Sequence, residues 1–251
     1  MTDLAPPAFE TLTVSVDGGL GRLTLSQPEQ LNPIGSTALH ELAVAAAWLD
    51  GTDATVVVVG GEGRAFSSGF DLRELSTPSG RSVSTPELGA AMAQAVSSMR
   101  AVTIAAVQGP CVGGGFVLAL CCDLRVATDD AWFSLPEAEL GIPLAWSGVP
   151  RLVRELGPAR ATELVLSCRR VPAPEASQWG LLNRVVAPED LAAAVEELAA
   201  TLLLRRPTVI TTTKQQVREA AEALVPTDGE WAGTRHLVDA LRSLRTGPAP
   251  D

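Results

Sequence analysis

An α/β fold is predicted by three features of this sequence. Residues 55–59 (TVVVV) and 103–107 (TIAAV) are unbroken apolar runs of the kind found in strands buried on both faces. Each run leads through a glycine-rich turn toward a helical stretch. From Pro188 to about Leu244 the periodicity is helical throughout, broken only at Pro207 and around Pro226 to Gly229. The expected organisation is therefore an α/β core over residues 1–187 and a helical region over 188–251.

The elements follow from local pattern. Residues 9–16 and 20–26 alternate around Asp17-Gly18-Gly19, a hairpin signal. Asn32-Pro33 breaks the chain, and Ser36 is placed to cap a helix through about Asp50 with Leu39, Leu42, Ala46 and Leu49 on one face. After the 55–59 strand comes a glycine-bearing segment to Leu72, then a Ser/Thr/Pro/Gly-rich loop over 76–86 and a helix to about Met99. Further strands are expected at 124–127, 132–134 and 182–186, with helices at 148–156, 158–168 and 174–179. Residues 191–204 read as an amphipathic helix.

Several chemistries are excluded by composition. The net charge of −10 disfavours nucleic acid and anionic membrane as partners. The long uncharged span from 101 to 122 carries Gln108, Pro110 and three glycines at its centre, so it reads as buried core. The N-terminal residues lack a basic-then-apolar leader pattern, and a cytoplasmic location is expected. Cys111, Cys121, Cys122 and Cys168 lack metal-ligand spacing and read as reduced core residues; no metal is expected. His40 and His236 both lie in helix-like stretches, which argues against a histidine-centred triad. Lys214 is the only lysine.

Residues 103–123 (TIAAVQGPCVGGGFVLALCCD) organise the chain. No Lys-Ser/Thr follows the glycines, and Leu118 stands where the last glycine of G-x-G-x-x-G would fall, so neither nucleotide-binding loop is present. A helix opening at Gly113-Gly114-Gly115 presents free N–H groups that suit a small oxyanion such as a thioester enolate. A tight packing turn explains the glycines equally well on this stretch alone.

The glycine stretch does not stand alone. Ala65-Phe66-Ser67-Ser68-Gly69-Phe70-Asp71-Leu72 is similar to the A-F-x-A-G-x-D-L motif, and Gly109 with Gly113-Gly114-Gly115 to the G-x-x-x-G-G-G motif, of the enoyl-CoA hydratase/isomerase (crotonase) superfamily. Leu31-Asn32, Cys122-Asp123-Leu124-Arg125, Pro136-Glu137 with Leu140-Gly141, and residues 180–186 (GLLNRVV) extend the resemblance from about residue 10 to 216. The resemblance implies a spiral of ββα units with a C-terminal helical region used in oligomerisation, as a homotrimer or a dimer of trimers. It implies an acyl-CoA substrate, with no cofactor beyond the coenzyme A of that thioester.

By position, the resemblance assigns the two oxyanion donors to the N–H groups of Phe70 and Gly114. The hydratases carry one glutamate two residues after the third glycine and another in the Pro-Glu pair; here those places hold Val117 and Glu137. One carboxylate suffices to move a proton between two carbons of an enolate, so Δ3-Δ2 enoyl-CoA isomerisation with Glu137 as acid and base is the expected reaction. 2-Enoyl-CoA hydration and a non-catalytic acyl-CoA-binding role are the alternatives. Glu139 is expected to face solvent, or else to supply a second acid. Ala65, Ser67, Ser68, Asp71 and Leu72 join the substrate loop, with Asp71 orienting it. Arg64, Arg73 and Lys214 are candidates for the CoA phosphates, though each equally suits a surface cation with a buried stem. Trp146 either narrows the acyl pocket or belongs to the core.

Overall fold

The protein is described by a computed structural model that covers residues 5–75, 84–228 and 233–246. The chain opens with a hairpin, β1 (Leu12–Asp17) and β2 (Leu20–Leu25), and a short strand β3 (Pro33–Ile34) leads into α1 (Ser36–Asp50). There follow β4 (Val56–Gly61), β5 (Gly69–Phe70), the one-turn α2 (Leu72–Leu75) and α3 (Ser84–Ser98). Next come β6 (Val102–Val107), β7 (Pro110–Val112), α4 (Gly114–Cys121), β8 (Leu124–Thr128) and β9 (Trp132–Ser134). After α5 (Gly148–Ser167), β10 (Val171–Pro172), α6 (Ala173–Gln178) and β11 (Arg184–Val186), the chain is helical: α7 (Leu191–Leu203), α8 (Pro207–Leu224) and α9 (Thr234–Thr246).

The main sheet has the order β1-β2-β4-β6-β8-β11, antiparallel only between β1 and β2. Three times the chain leaves a strand of this sheet, forms a short strand in a second or third sheet, and returns through helix: by β5 and α3 between β4 and β6, by β7 and α4 between β6 and β8, and by β9, α5, β10 and α6 between β8 and β11. The β-branched run explains why β4 lies in the middle. Val57 and Val59 enter the core shared with α1, α3 and α4, while Val56 and Val58 meet Ala194, Val195 and Ala199 of α7 on the other face. A strand that alternates between two apolar layers needs apolar residues at every position.

Three local expectations are refined. Ser36 does not cap α1; it is the first helical residue, and its N–H and hydroxyl both donate to the Glu74 carboxylate at 2.9 and 2.5 Å. The helices expected at 148–156 and 158–168 form one run, α5, broken at Gly157 (φ 75°, ψ 166°) ahead of Pro158. The loop expected over 76–86 ends earlier, because α3 begins at Ser84, and residues 76–83 lie outside the described residues. The four cysteines are buried and free, as expected, and burial raises the Cys122 thiol to about 12.

Asn32 ties the first units together. Its backbone is left-handed (φ 53°), its Oδ1 accepts the Gln27 N–H at 2.9 Å, and its Nδ2 donates to the carbonyls of Glu62 and Ala65, both at 2.9 Å. Losing three such bonds in a buried loop should cost about 2–4 kcal/mol at roughly 1 kcal/mol each plus unpaired partners. Urea unfolding of Asn32→Ala is expected to give that loss. Asn32→Asp, although nearly isosteric, should be less stable still, because it turns a carboxylate oxygen toward two carbonyls.

Candidate active site

The site is assembled where two glycine-bearing turns cross. The first, residues 65–70, is held from below: the Ser67 hydroxyl donates to the Asn32 carbonyl at 2.7 Å and accepts the Gly69 N–H at 3.1 Å. Ser67 also exchanges backbone bonds with Pro110 and Val112 around β7. Gly69 (φ 92°) lets the chain pass the Val112 carbonyl, which a Cβ there would approach to 2.7 Å. In the β3–β5 ladder the Asp71 N–H points to the Ile34 carbonyl at 3.4 Å. Successive N–H groups of a strand alternate in direction, so the Phe70 N–H is turned away from β3.

The second turn is residues 112–115. Gly113 (φ 51°, ψ −121°) takes a conformation open only to glycine, and Gly114 then opens α4. As a first helical residue, Gly114 has an N–H with no intrahelical acceptor. Gly115 sits against the first turn, where a Cβ would come within 2.5 Å of the Ser67 Cβ.

Glu137 arrives on a short 3-10 turn, Pro136–Ala138, that follows β9. A Cβ on Gly113 would meet its Oε1 at 2.9 Å, so the carboxyl lies directly over the second turn. Its Oε2 is shielded from solvent and has no hydrogen-bond partner. Burial raises this carboxyl to about 7, and the only opposing influence is its own backbone N–H. The cavity it faces has a volume of about 100 Å³ and is lined by Ser68, Phe70, Leu72, Gly114, Val117, Leu140, Ile142, Leu144, Ala145, Trp146, Leu237 and Leu241, among others. Among the described residues Glu137 is the only ionisable one in that lining. Val117 is 1% exposed, so an apolar side chain occupies the other carboxylate position.

Phe70, Gly114, Glu137, Ser68, Leu72 and Trp146 thus line one cavity. Ala65 and Ser67 are fully buried beneath it. Asp71 forms a two-pronged pair with Arg73 (2.8 and 2.7 Å) that holds its carboxyl below the usual range. Arg64 lies elsewhere, in a groove with Arg22, Gln108 and Glu196. Lys214 is also apart: it is 8% exposed and its Nζ is paired with Asp123 at 2.7 Å and the Ala101 carbonyl at 2.8 Å. Glu139 is exposed and outside the cavity lining.

Leu237 and Leu241 of α9 had no sequence signal for this site. Their i, i+4 spacing marks an apolar helix face, but nothing in it says which cavity that face meets. Gly89 of α3 was missed for a similar reason: a glycine inside a helix reveals a close neighbour only once the neighbour is known. Among the described residues no group of His, Cys, Asp and Glu is placed to hold a metal ion, and no helix is long and apolar enough to cross a membrane.

The chain has well-defined relatives. A probable enoyl-CoA hydratase from Mycobacterium tuberculosis is 34% identical over 216 residues, covering 86% of this chain and 84% of its own length. The crystal structure of an enoyl-CoA hydratase from Mycobacterium avium subsp. paratuberculosis matches with a TM-score of 0.84 at 28% identity over 98% of this chain and 97% of that one. A Thermobifida fusca protein whose crystal structure holds acetoacetyl-CoA matches with a TM-score of 0.78 at 32% identity, over 94% of both chains. The model of the enoyl-CoA hydratase/isomerase family matches residues 15–235. With the crossed glycine turns and the glutamate above them, these matches establish that the chain belongs to the enoyl-CoA hydratase/isomerase family.

Proposed function

We propose that this acyl-CoA enzyme isomerises 3-enoyl-CoA to 2-enoyl-CoA, with Glu137 moving the proton. The observation that carries this reading is that, among the described residues, one carboxyl stands in a largely apolar cavity. The thioester carbonyl accepts hydrogen bonds from the Phe70 and Gly114 N–H groups. Glu137 as carboxylate takes a proton from C2; the electron pair moves into the thioester, and negative charge gathers on the carbonyl oxygen. Fixed backbone donors favour that charge without reorganising, and one such donor is typically worth about 3 kcal/mol of barrier. Glu137 then returns the proton to C4, leaving the double bond between C2 and C3. Apolar walls, Val117 among them, keep water from adding to it.

A raised carboxyl suits both halves of this cycle. Near neutral pH the protonated and ionised forms are comparable in free energy, so Glu137 can take and return the same proton. The CoA portion leaves the cavity past Ser68 and Leu72, and Arg73, exposed on the same loop, is the cation best set to meet its phosphates. Thermobifida fusca structures holding acetoacetyl-CoA and CoA support the substrate class.

Hydration remains the second reading, favoured by the names of relatives such as the crotonyl-CoA hydratase of Syntrophomonas wolfei, 33% identical over 197 residues. A non-catalytic acyl-CoA-binding role is the third. A homotrimer, or a dimer of trimers, is part of the proposal. Leu204, Val209, Val217 and Leu224 are 80, 54, 65 and 83% exposed, an apolar surface from the end of α7 along α8 that a second copy would cover.

Three outcomes are expected. Glu137→Gln should bind acyl-CoA normally but lose at least about 10² in isomerisation rate. The wild-type rate should rise with pH through about 7, as the base form appears. The stability effect has the opposite sign: a raised carboxyl costs the fold stability as pH climbs from the ordinary carboxylate range through about 7, so the glutamine variant should melt higher above pH 7, with the gap closing in acid. Near-normal turnover in the variant would overturn the mechanism.

Val117→Glu, checked first for folding, should introduce or raise hydration of crotonyl-CoA. A wild type that already hydrates crotonyl-CoA faster than it isomerises a 3-enoyl-CoA favours the second reading instead, and tight binding without any turnover favours the third. Light scattering at micromolar concentration should return a trimer or hexamer mass, and a monomer mass would contradict the assembly.

A further inference from the structure

Trp146 is the residue in the cavity wall that the proton transfer does not use, and its geometry is unusual. It takes a left-handed backbone (φ 55°), and so does Ser147 after it (φ 59°). For a bulky residue this is a genuine outlier, kept only where the surroundings over-determine it. Those surroundings are two glycines. A Cβ on Gly89 of α3 would lie 2.0 Å from the indole Nε1, and a Cβ on Gly114 would lie 2.3 Å from its Cζ3. The ring therefore bridges α3 and α4 through positions where neither helix carries a side chain. Phe70 meets it edge to face at 6.2 Å. The Nε1–H is buried without an acceptor, so polar bonding does not account for this placement.

We propose that Trp146 ends the acyl pocket and restricts the enzyme to short acyl groups. The inference rests on the acyl-CoA reading of the site. The ring touches the same Gly114 whose N–H is the proposed oxyanion donor, so the acyl group meets the indole within a few bonds of its carbonyl. The cavity is small, about 100 Å³, and the indole stands in its wall, so an acyl group held at Gly114 meets the ring before it extends far. The indole, seated against Gly89 of α3 and Gly114 of α4, stands in the way of a chain that extends toward those helices. Ala145 beside it is small, and Leu144, also in the lining, packs toward Gly148 at the start of α5.

The test is the binding of saturated butanoyl-, octanoyl- and dodecanoyl-CoA to the full chain by calorimetry, which needs no turnover. Wild type should bind butanoyl-CoA at least tenfold more tightly than octanoyl-CoA. Trp146→Ala should reverse that ratio, octanoyl-CoA gaining at least tenfold. Trp146→Phe, which keeps a ring and is the safer variant for folding, should shift the ratio part of the way. Equal wild-type affinity for the two thioesters overturns the proposal, as does an octanoyl-to-butanoyl ratio unmoved in folded Trp146→Phe. A merely structural tryptophan would change stability and leave that ratio alone. Length discrimination without isomerisation overturns only the isomerase reading, whereas full isomerisation with no length discrimination overturns only this one.

Discussion

Everything at the site depends on how closely two backbone turns approach. Gly69 stands against the Val112 carbonyl, Gly113 beneath the Glu137 carboxyl, and Gly115 against the side chain of Ser67, each at a separation that leaves no room for a Cβ. That contact brings Phe70 of one turn and Gly114, the first residue of α4, from the other to the lining of the same small cavity, where we propose that their N–H groups act as donors. Both donors are backbone, so their positions are set by the fold rather than by rotamers. The cost is exacting support underneath, and Ser67 and Asn32 supply it with side chains that serve as extra backbone.

The second constraint is electrostatic. An apolar wall disfavours the ionised carboxyl of Glu137 and equally disfavours an unsolvated enolate. In the proposed isomerisation the two charges never coexist in one step: as the carboxylate gains the proton, the negative charge passes to the thioester oxygen, next to the proposed N–H donors. The cavity therefore handles one negative charge throughout, moved between two places. A second carboxylate at position 117 would add a second charge to the same apolar volume, which is the physical difference between a cavity suited to shuttling a proton and one suited to holding water.

The sequence made the large elements legible because they are long enough to show a period. The β1–β2 hairpin, the doubly buried β4 and β6, and the helices from α7 onward all fall close to their expected places. Strands of two or three residues, β3, β5, β7 and β10, carry no period and become visible only through their partners. The same divide runs through the site. Phe70, Gly114 and Glu137 stand in motifs that chain order alone can locate. Arg64 is a candidate by charge, and Lys214 by charge and by its resemblance to a family lysine on a C-terminal helix; neither ground says which side of a sheet a residue faces. Cross-chain contacts such as Glu74 on Ser36 or Gly89 against Trp146 were invisible for the same reason: they join positions separated by many residues, and neither partner announces the other.

The Asp123–Lys214 pair has a chemical consequence of its own. Asp123 accepts the Thr103 N–H and hydroxyl as well as the Lys214 ammonium, so it joins the start of β6 to α8. This buried ammonium is also the only lysine in the chain. Thioesters acylate amines, and they do so through the exposed, deprotonated form. A protein that handles acyl-CoA has here confined its one lysine behind a carboxylate and filled every other cationic position with arginine, which thioesters leave unmodified at neutral pH. Its surface consequently offers acyl thioesters no exposed lysine amine.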